Sequence, residues 1–176
     1  MPRHCSEPTR SWPESSFVAA TDHVTRITRT ELGRWPIVLL CPPEHPLAAS
    51  GRLDWSDLRD VDFIDFQESW AVRSLNDAAC AAQSVGRRVR CTVNDVHTLL
   101  DLVQRGLGVA LVPQHVAAKP QAAGLVAVQL PPTSTPHWVV SAVTGSPAAA
   151  SAPLLLEILD GELRRREDEA LMPRSA

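Results

Sequence analysis

Stretch 91–113 leaves the chain little choice of fold, because it reads strand, helix, strand with hardly a residue to spare. Val89, Cys91 and Val93 alternate with polar neighbours, the period-2 signature of a half-buried strand. Asn94 and Asp95 then offer an N-cap oxygen to the free amides of a helix start. Val96, Leu99, Leu100 and Val103 fall at i, i+3, i+4 and i+7, so they share one helical face. Gly106 ends the helix, since a left-handed C′ position costs glycine least. The unbroken apolar run from Val109 to Val112 predicts a strand covered on both faces, and Pro113 stops it. Two strands joined by a helical crossover run parallel, and ligands of such sheets gather at the strands' carboxyl ends. Asn94 and Pro113 mark those ends here.

Elsewhere the pattern continues as α/β. Apolar runs predict strands at 24–30, 37–41, 63–66, 125–130 and 138–143. One helical turn is expected at 55–58. A longer helix follows the loop Gln67, Glu68 and Ser69, with Ser69 as its cap and Val72, Leu75, Ala79 and Ala82 at helical spacing. A short helix is expected at 114–118. A last helix starts near Ser151 and Pro153 and carries Leu155, Ile158, Leu159 and Leu163. Residues 1–21 show no sustained period and read as a disordered lead-in. Residues 166–176 read as a tail.

The helix start after Ser69 favours a carboxylate or phosphate nearby, through its free amides and dipole. Arg73, one turn in, is either an aid to such a ligand or a solvated charge. Trp70 is either cleft wall or core filler. His97, in the first turn of the central helix, either touches ligand or caps its helix. Arg87, Arg88 and Arg90 read as the solvated edge of a strand rather than a phosphate patch. His45 beside Pro46 reads as a turn residue.

The composition narrows the function classes. A net charge of −3 gives no general attraction to nucleic acid. Cys5, Cys41, Cys80 and Cys91 lack C-x-x-C spacing. The last three sit inside apolar patterns and read as buried free thiols, which points to a reducing, cytoplasmic compartment. There is no span of about 18 apolar residues for a membrane. No nucleophile elbow, metal-ligand set or phosphate loop is present; Gly106-Leu-Gly108 follows a helix and precedes a strand, the reverse of a phosphate loop. Neither a catalytic residue, a metal nor a cofactor is expected. A small α/β enzyme remains an alternative.

Three segments in order carry a resemblance. They are Pro36 to Ala48 with its His-Pro-Leu-Ala turn, Leu53 to Phe66, and the helix Thr-Leu-Leu-Asp-Leu-Val with Gly-Leu-Gly-Val-Ala-Leu-Val-Pro after it. Together they resemble the effector-binding domain of LysR-type transcriptional regulators, over roughly residues 24–163. The resemblance implies a periplasmic-binding-protein-like (type 2) two-lobe sensor that closes on a small-molecule effector, with organic anions among the candidates. By position it implies that Gln67, Ser69 and Trp70 help to form the pocket, and the helix starts and strand ends read above add Arg73, Asn94, His97 and Pro113 as candidates. It implies a homo-oligomer paired through regulatory domains, with no direct DNA binding by this chain and no membrane. The match places a complete second lobe at 41–120 and a partial first lobe at 22–40 and 121–165. The family's helix-turn-helix head and opening half of lobe one find no counterpart among the 35 residues before Pro36, so the chain reads as truncated at its N-terminus. A solute-binding protein of the same fold, serving transport, is the other alternative.

Overall fold

The computed structural model describes residues 15–19, 28–144, 154–159 and 161–162. The chain forms two compact units, one from the segments up to Gly33 and from Val140 onward, the other Arg34–Val139. The segment 41–120 lies inside the second.

In the first unit, β1 (Ser15–Ala19) runs antiparallel to the end of β7 (His137–Thr144), with Phe17 opposite Ala142. This strand falls within the stretch expected as a featureless lead-in. Arg29 Nε donates to the Oγ of the buried Ser141 at 3.1 Å. Residues 154–159 are helical, and Leu154, Leu155 and Ile158 are exposed. Leu163 and the expected cap at Ser151 and Pro153 lie outside the described residues, as do 20–27, 166–176 and the thiol of Cys5.

The second unit holds the core. Its central strand belongs to β2 (Thr28–Cys41), one continuous strand where the sequence suggests two, since the fixed φ of Pro36 suits extended backbone. Ile37 to Cys41 are fully buried because β2 is flanked on both edges. On one side lies β5 (Ala110–Pro113) and on the other β6 (Val126–Gln129), both antiparallel, with Val38 opposite Val112 and Gln129. The strand order is β1-β7-β2-β5, with β6 also on β2.

A second pair, β3 (Asp62–Phe66) and β4 (Arg88–Val93), is parallel. Between them runs α1 (Ala71–Ala82), and after β4 comes α2 (Val96–Gln104). Both helices pack on β3, which is buried from Phe63 to Phe66. Leu99, Leu100 and Val103 of α2 are fully buried, each stabilising by roughly 1.5–3 kcal/mol. Asp95 caps α2 by accepting from Thr98 N at 2.8 Å, and Gly106 turns the chain out at φ +72°. The short α3 (Gln114–Ala117) starts directly from Pro113.

Two expectations meet the structure here. First, the strands β4 and β5 share a direction as expected, with β3 lying between them. Val109 N donates to Asp62 O and Ile64 N to Val109 O, both at 2.9 Å. Gly108 permits this approach, since a Cβ there would meet Asp62 O at 2.7 Å. Secondly, Cys91 is exposed, whereas Cys41 and Cys80 are buried. The cause is a bulge. Phe63 pairs with Val89 but Ile64 pairs with Cys91, so no residue of β3 stands opposite Arg90 and the alternation of Val89, Cys91 and Val93 is broken.

Candidate functional site

The ends of β3 and β4 are tied together by Gln67 N donating to Val93 O at 3.0 Å. That single bond sets the loop 67–70 beside Asn94. Trp70 N donates to Gln67 O at 3.0 Å and closes the loop into a turn. Gln67, Glu68, Ser69, Asn94 and His97 are all exposed along this edge. Two helices begin here side by side, α1 at Ala71 and α2 at Val96.

The two helix starts differ. Asp95 occupies the amides of α2, and burial adds little against that: the Thr98 hydrogen bonds hold its carboxyl below the ordinary range. The N-cap of α1 is Trp70, whose indole cannot accept, and no side chain caps that helix. Ser69 therefore does not cap it as expected; it stands one residue too early. The first amides of α1 are left to solvent or to an incoming acceptor. The Trp70 ring stacks on Phe66, centroids 4.7 Å apart and planes within 8°, so one face is core filler while the residue stays half-buried.

Arg73 is neither a free guanidinium nor a solvated one. Its Nε donates to Asp77 Oδ2 at 2.8 Å, one of its terminal nitrogens donates to Phe66 O at 3.2 Å, and Asp65 lies 3.6 Å away. It braces the end of β3 from beneath the loop. Arg87 also departs from the solvated edge expected of it. Its side chain is only 3% exposed, pairs with both Asp65 and Asp77, and lies over the Phe63 ring at 5.6 Å. Burial pushes the Asp65 carboxyl up, while Arg87, the Phe66 amide and Arg73 pull the other way. Burial would lower Arg87, but Asp65 and Asp77 outweigh it and hold the guanidinium above its ordinary value. A guanidinium does not give up its proton in a protein, so Arg87 faces Asp65 and Asp77 as a cation.

Pro113 is buried opposite Ile37, in the antiparallel sheet rather than on the loop edge. The structure thus gathers Gln67, Ser69, Trp70, Asn94 and His97 along one edge, with Arg73 behind them and Pro113 on another strand pair. Asn76 and Asp65 were missed. Asn76 is fully buried in α1 and donates to Leu111 O at 3.0 Å, joining the helix to β5. A polar residue at a helix position flanked by Val72 and Cys80 was the available signal. Among the described residues no group of three His, Cys, Asp or Glu side chains is placed to hold a metal, and no helix is long and apolar enough to cross a membrane.

These features have relatives. The family model described as the LysR substrate binding domain matches residues 17–164. The HTH-type transcriptional regulator MJ0300 of Methanocaldococcus jannaschii is 30% identical over 104 residues, 56% of this chain and 34% of that protein. The transcriptional activator LysR of Escherichia coli is 30% identical over 98 residues, 56% of this chain and 32% of its own length. The chain therefore spans about one third of these curated relatives. Among solved structures, the regulatory domain of CcmR from Synechocystis, in complex with 2-PG, superposes with a TM-score of 0.74 at 16% identity, covering 85% of this chain and 73% of that one. That likeness shares the type 2 fold of LysR regulatory domains. With most of its length matched by the family model, the chain belongs to the LysR substrate-binding-domain family.

Proposed function

We propose that this chain is the effector-sensing part of a transcriptional regulator, taking a small organic anion at the carboxyl edge of β3 and β4. The observation that carries this is the pair of adjacent helix starts, one of them uncapped, beside exposed amide side chains. An anion there is favoured by the free amides of α1 and by both helix dipoles. In this reading Gln67, Ser69 and Asn94 hydrogen-bond the ligand, Trp70 offers its half-exposed ring, and His97 stands at the rim. Arg73 acts through the loop that it braces, and Pro113 through the turn from β5 into α3. In this reading the edge belongs to the second lobe, 41–120. The CcmR domain, described in complex with 2-PG, supports a ligand-taking role for this fold. Pairing of regulatory domains in a homo-oligomer within the cytoplasm is part of the same proposal. The ligand would act through different affinities for two arrangements of that oligomer.

A screen of small carboxylates and phosphorylated acids by amide chemical-shift mapping tests the site. The expected result is a hit that shifts Gln67 to Val72 and Asn94 to Thr98 together and is lost in Asn94→Ala. Hits that leave both segments unmoved would overturn the placement.

A further inference from the structure

At the opposite end of the same two strands lies a groove of about 680 Å³. Its wall is largely apolar: Leu47, Val61, Ile64, Leu102 and Leu107. Leu107 is 52% exposed, a large side chain left uncovered on the turn between α2 and β5. Arg88 and Arg90 stand over this wall. Both are fixed by Asp62: Arg88 through its Nε, and Arg90 through a terminal nitrogen at 2.8 Å. Arg88 also donates to Asp60 O at 3.0 Å. A guanidinium has five N–H donors. These bonds use two of those on Arg88 and one on Arg90. The others have no protein acceptor among the described residues.

The bulge at Arg90 is a second and independent feature. It brings Arg90 onto the carboxylate that Arg88 already holds, and it puts Cys91 in the groove. Bulges in parallel strand pairs are rare and tend to re-aim side chains beside sites. We infer that this groove is a second ligand site, for a monocarboxylate with an apolar body. The spare guanidinium donors receive the carboxylate and the leucine wall receives the body. Arginine forks suit that planar group. A volume of this size is within the range of small-molecule pockets. Asp60, Asp62 and the carboxyl end of α2 all face the groove with negative charge, so a dianion such as phosphate is disfavoured. The site is separate from the one proposed above, roughly 16 Å away along β3 at about 3.3 Å per residue.

Cys91 supplies the readout, since Cys41 and Cys80 are buried. In a Cys5→Ser chain, iodoacetamide labelling of Cys91 is followed by mass spectrometry with 4-phenylbutyrate or its uncharged amide present. The acid is expected to slow labelling saturably and the amide to leave it unchanged. Arg90→Ala, at an exposed side chain, is expected to raise the half-protecting concentration about tenfold, the loss of a charge-assisted hydrogen bond. Asn94→Ala is expected to change nothing, which separates this site from the other. Equal protection by the amide, or unchanged protection in Arg90→Ala, would overturn the assignment. So would no protection by about 10 mM acid, the weakest binding that would still count as a site.

Discussion

Strand β3 carries two aspartate–arginine clusters of opposite character. Asp65 is 1% exposed and is held by Arg87, Arg73 and the Phe66 amide. Asp62, at the start of the same strand, holds Arg88 and Arg90, whose side chains are 62% and 64% exposed. The residue types are the same, yet the first cluster is part of the core and the second sits in water. Burial decides. Inside, each charge needs every donor it can find, so none is left for a ligand. Outside, the pairing is cheap and incomplete, and spare donors remain. The interior cluster therefore supports the carboxyl edge of β3, while the exterior one is free to act at the other edge.

The largest test of this difference is Asp65→Ala. It leaves Arg87 buried without its main partner and should cost about 3–5 kcal/mol. Urea denaturation followed by tryptophan fluorescence measures it. A loss close to zero would mean that Arg87 escapes to solvent and that the two clusters are alike.

Gly108→Ala comes next. It forces a Cβ against the backbone of Asp62 and should cost about 1–3 kcal/mol through displacement of the Val109 bridge. Because that bridge borders the groove, Cys91 labelling should also change in the variant. An unaltered denaturation midpoint would show that β3 and the Val109 strand can part freely.

These contrasts explain what could be read without a structure. The face Val96, Leu99, Leu100 and Val103, the stop at Gly106 and the run up to Pro113 were legible because each is a local rule. The family likeness was legible for the same reason, as three such segments in order. Cys91 was misplaced because a bulge depends on how β4 meets β3, which no period within β4 reports. Arg87 looked like its neighbours Arg88 and Arg90, since only the fold brings Asp65 and Asp77 to it. The order β4-β3-β5 was likewise hidden, because a crossover rule gives direction but not adjacency. At the candidate edge, the exposed loop and Asn94 followed from chain order, whereas the tie-up of Arg73 came from packing.

Mild acid offers a smaller effect that bypasses both clusters. His115 is half-buried, its Nδ1 has no partner among the described residues, and its ring meets Trp35 edge-on at 4.7 Å. Burial, then the Lys119 charge, hold it below its ordinary value. Around pH 6 the unfolded chain therefore binds more protons than the folded one. Its contribution is full above about pH 6.5 and declines as the pH falls towards the folded-state value. His45 is lowered by burial in the same way and adds to the slope. His115→Gln should flatten, without abolishing, the fall in thermal midpoint between about pH 6.5 and 5. An unchanged slope would assign the sensitivity elsewhere.

The smallest expected effect is the other half of the comparison, Asp62→Ala. Desolvation, the largest single influence on this carboxyl, raises it, but the hydrogen bonds and charges of Arg88 and Arg90 together bring it below the ordinary range. The sign follows. Any stability from the cluster is present above the ordinary carboxylate value of about 3.9 and lost as pH falls through the folded-state value. Exposure and salt screen it, so at neutral pH the denaturation midpoint of Asp62→Ala should match the parent within error, at low and at high salt. Removing Asp62 also takes a negative charge from the groove and frees a donor on each arginine, so half-protection of Cys91 by phenylbutyrate should need a lower concentration. Loss of stability comparable to Asp65→Ala would show that the outer cluster is also structural, and the division of β3 into a supporting end and a binding end would fail.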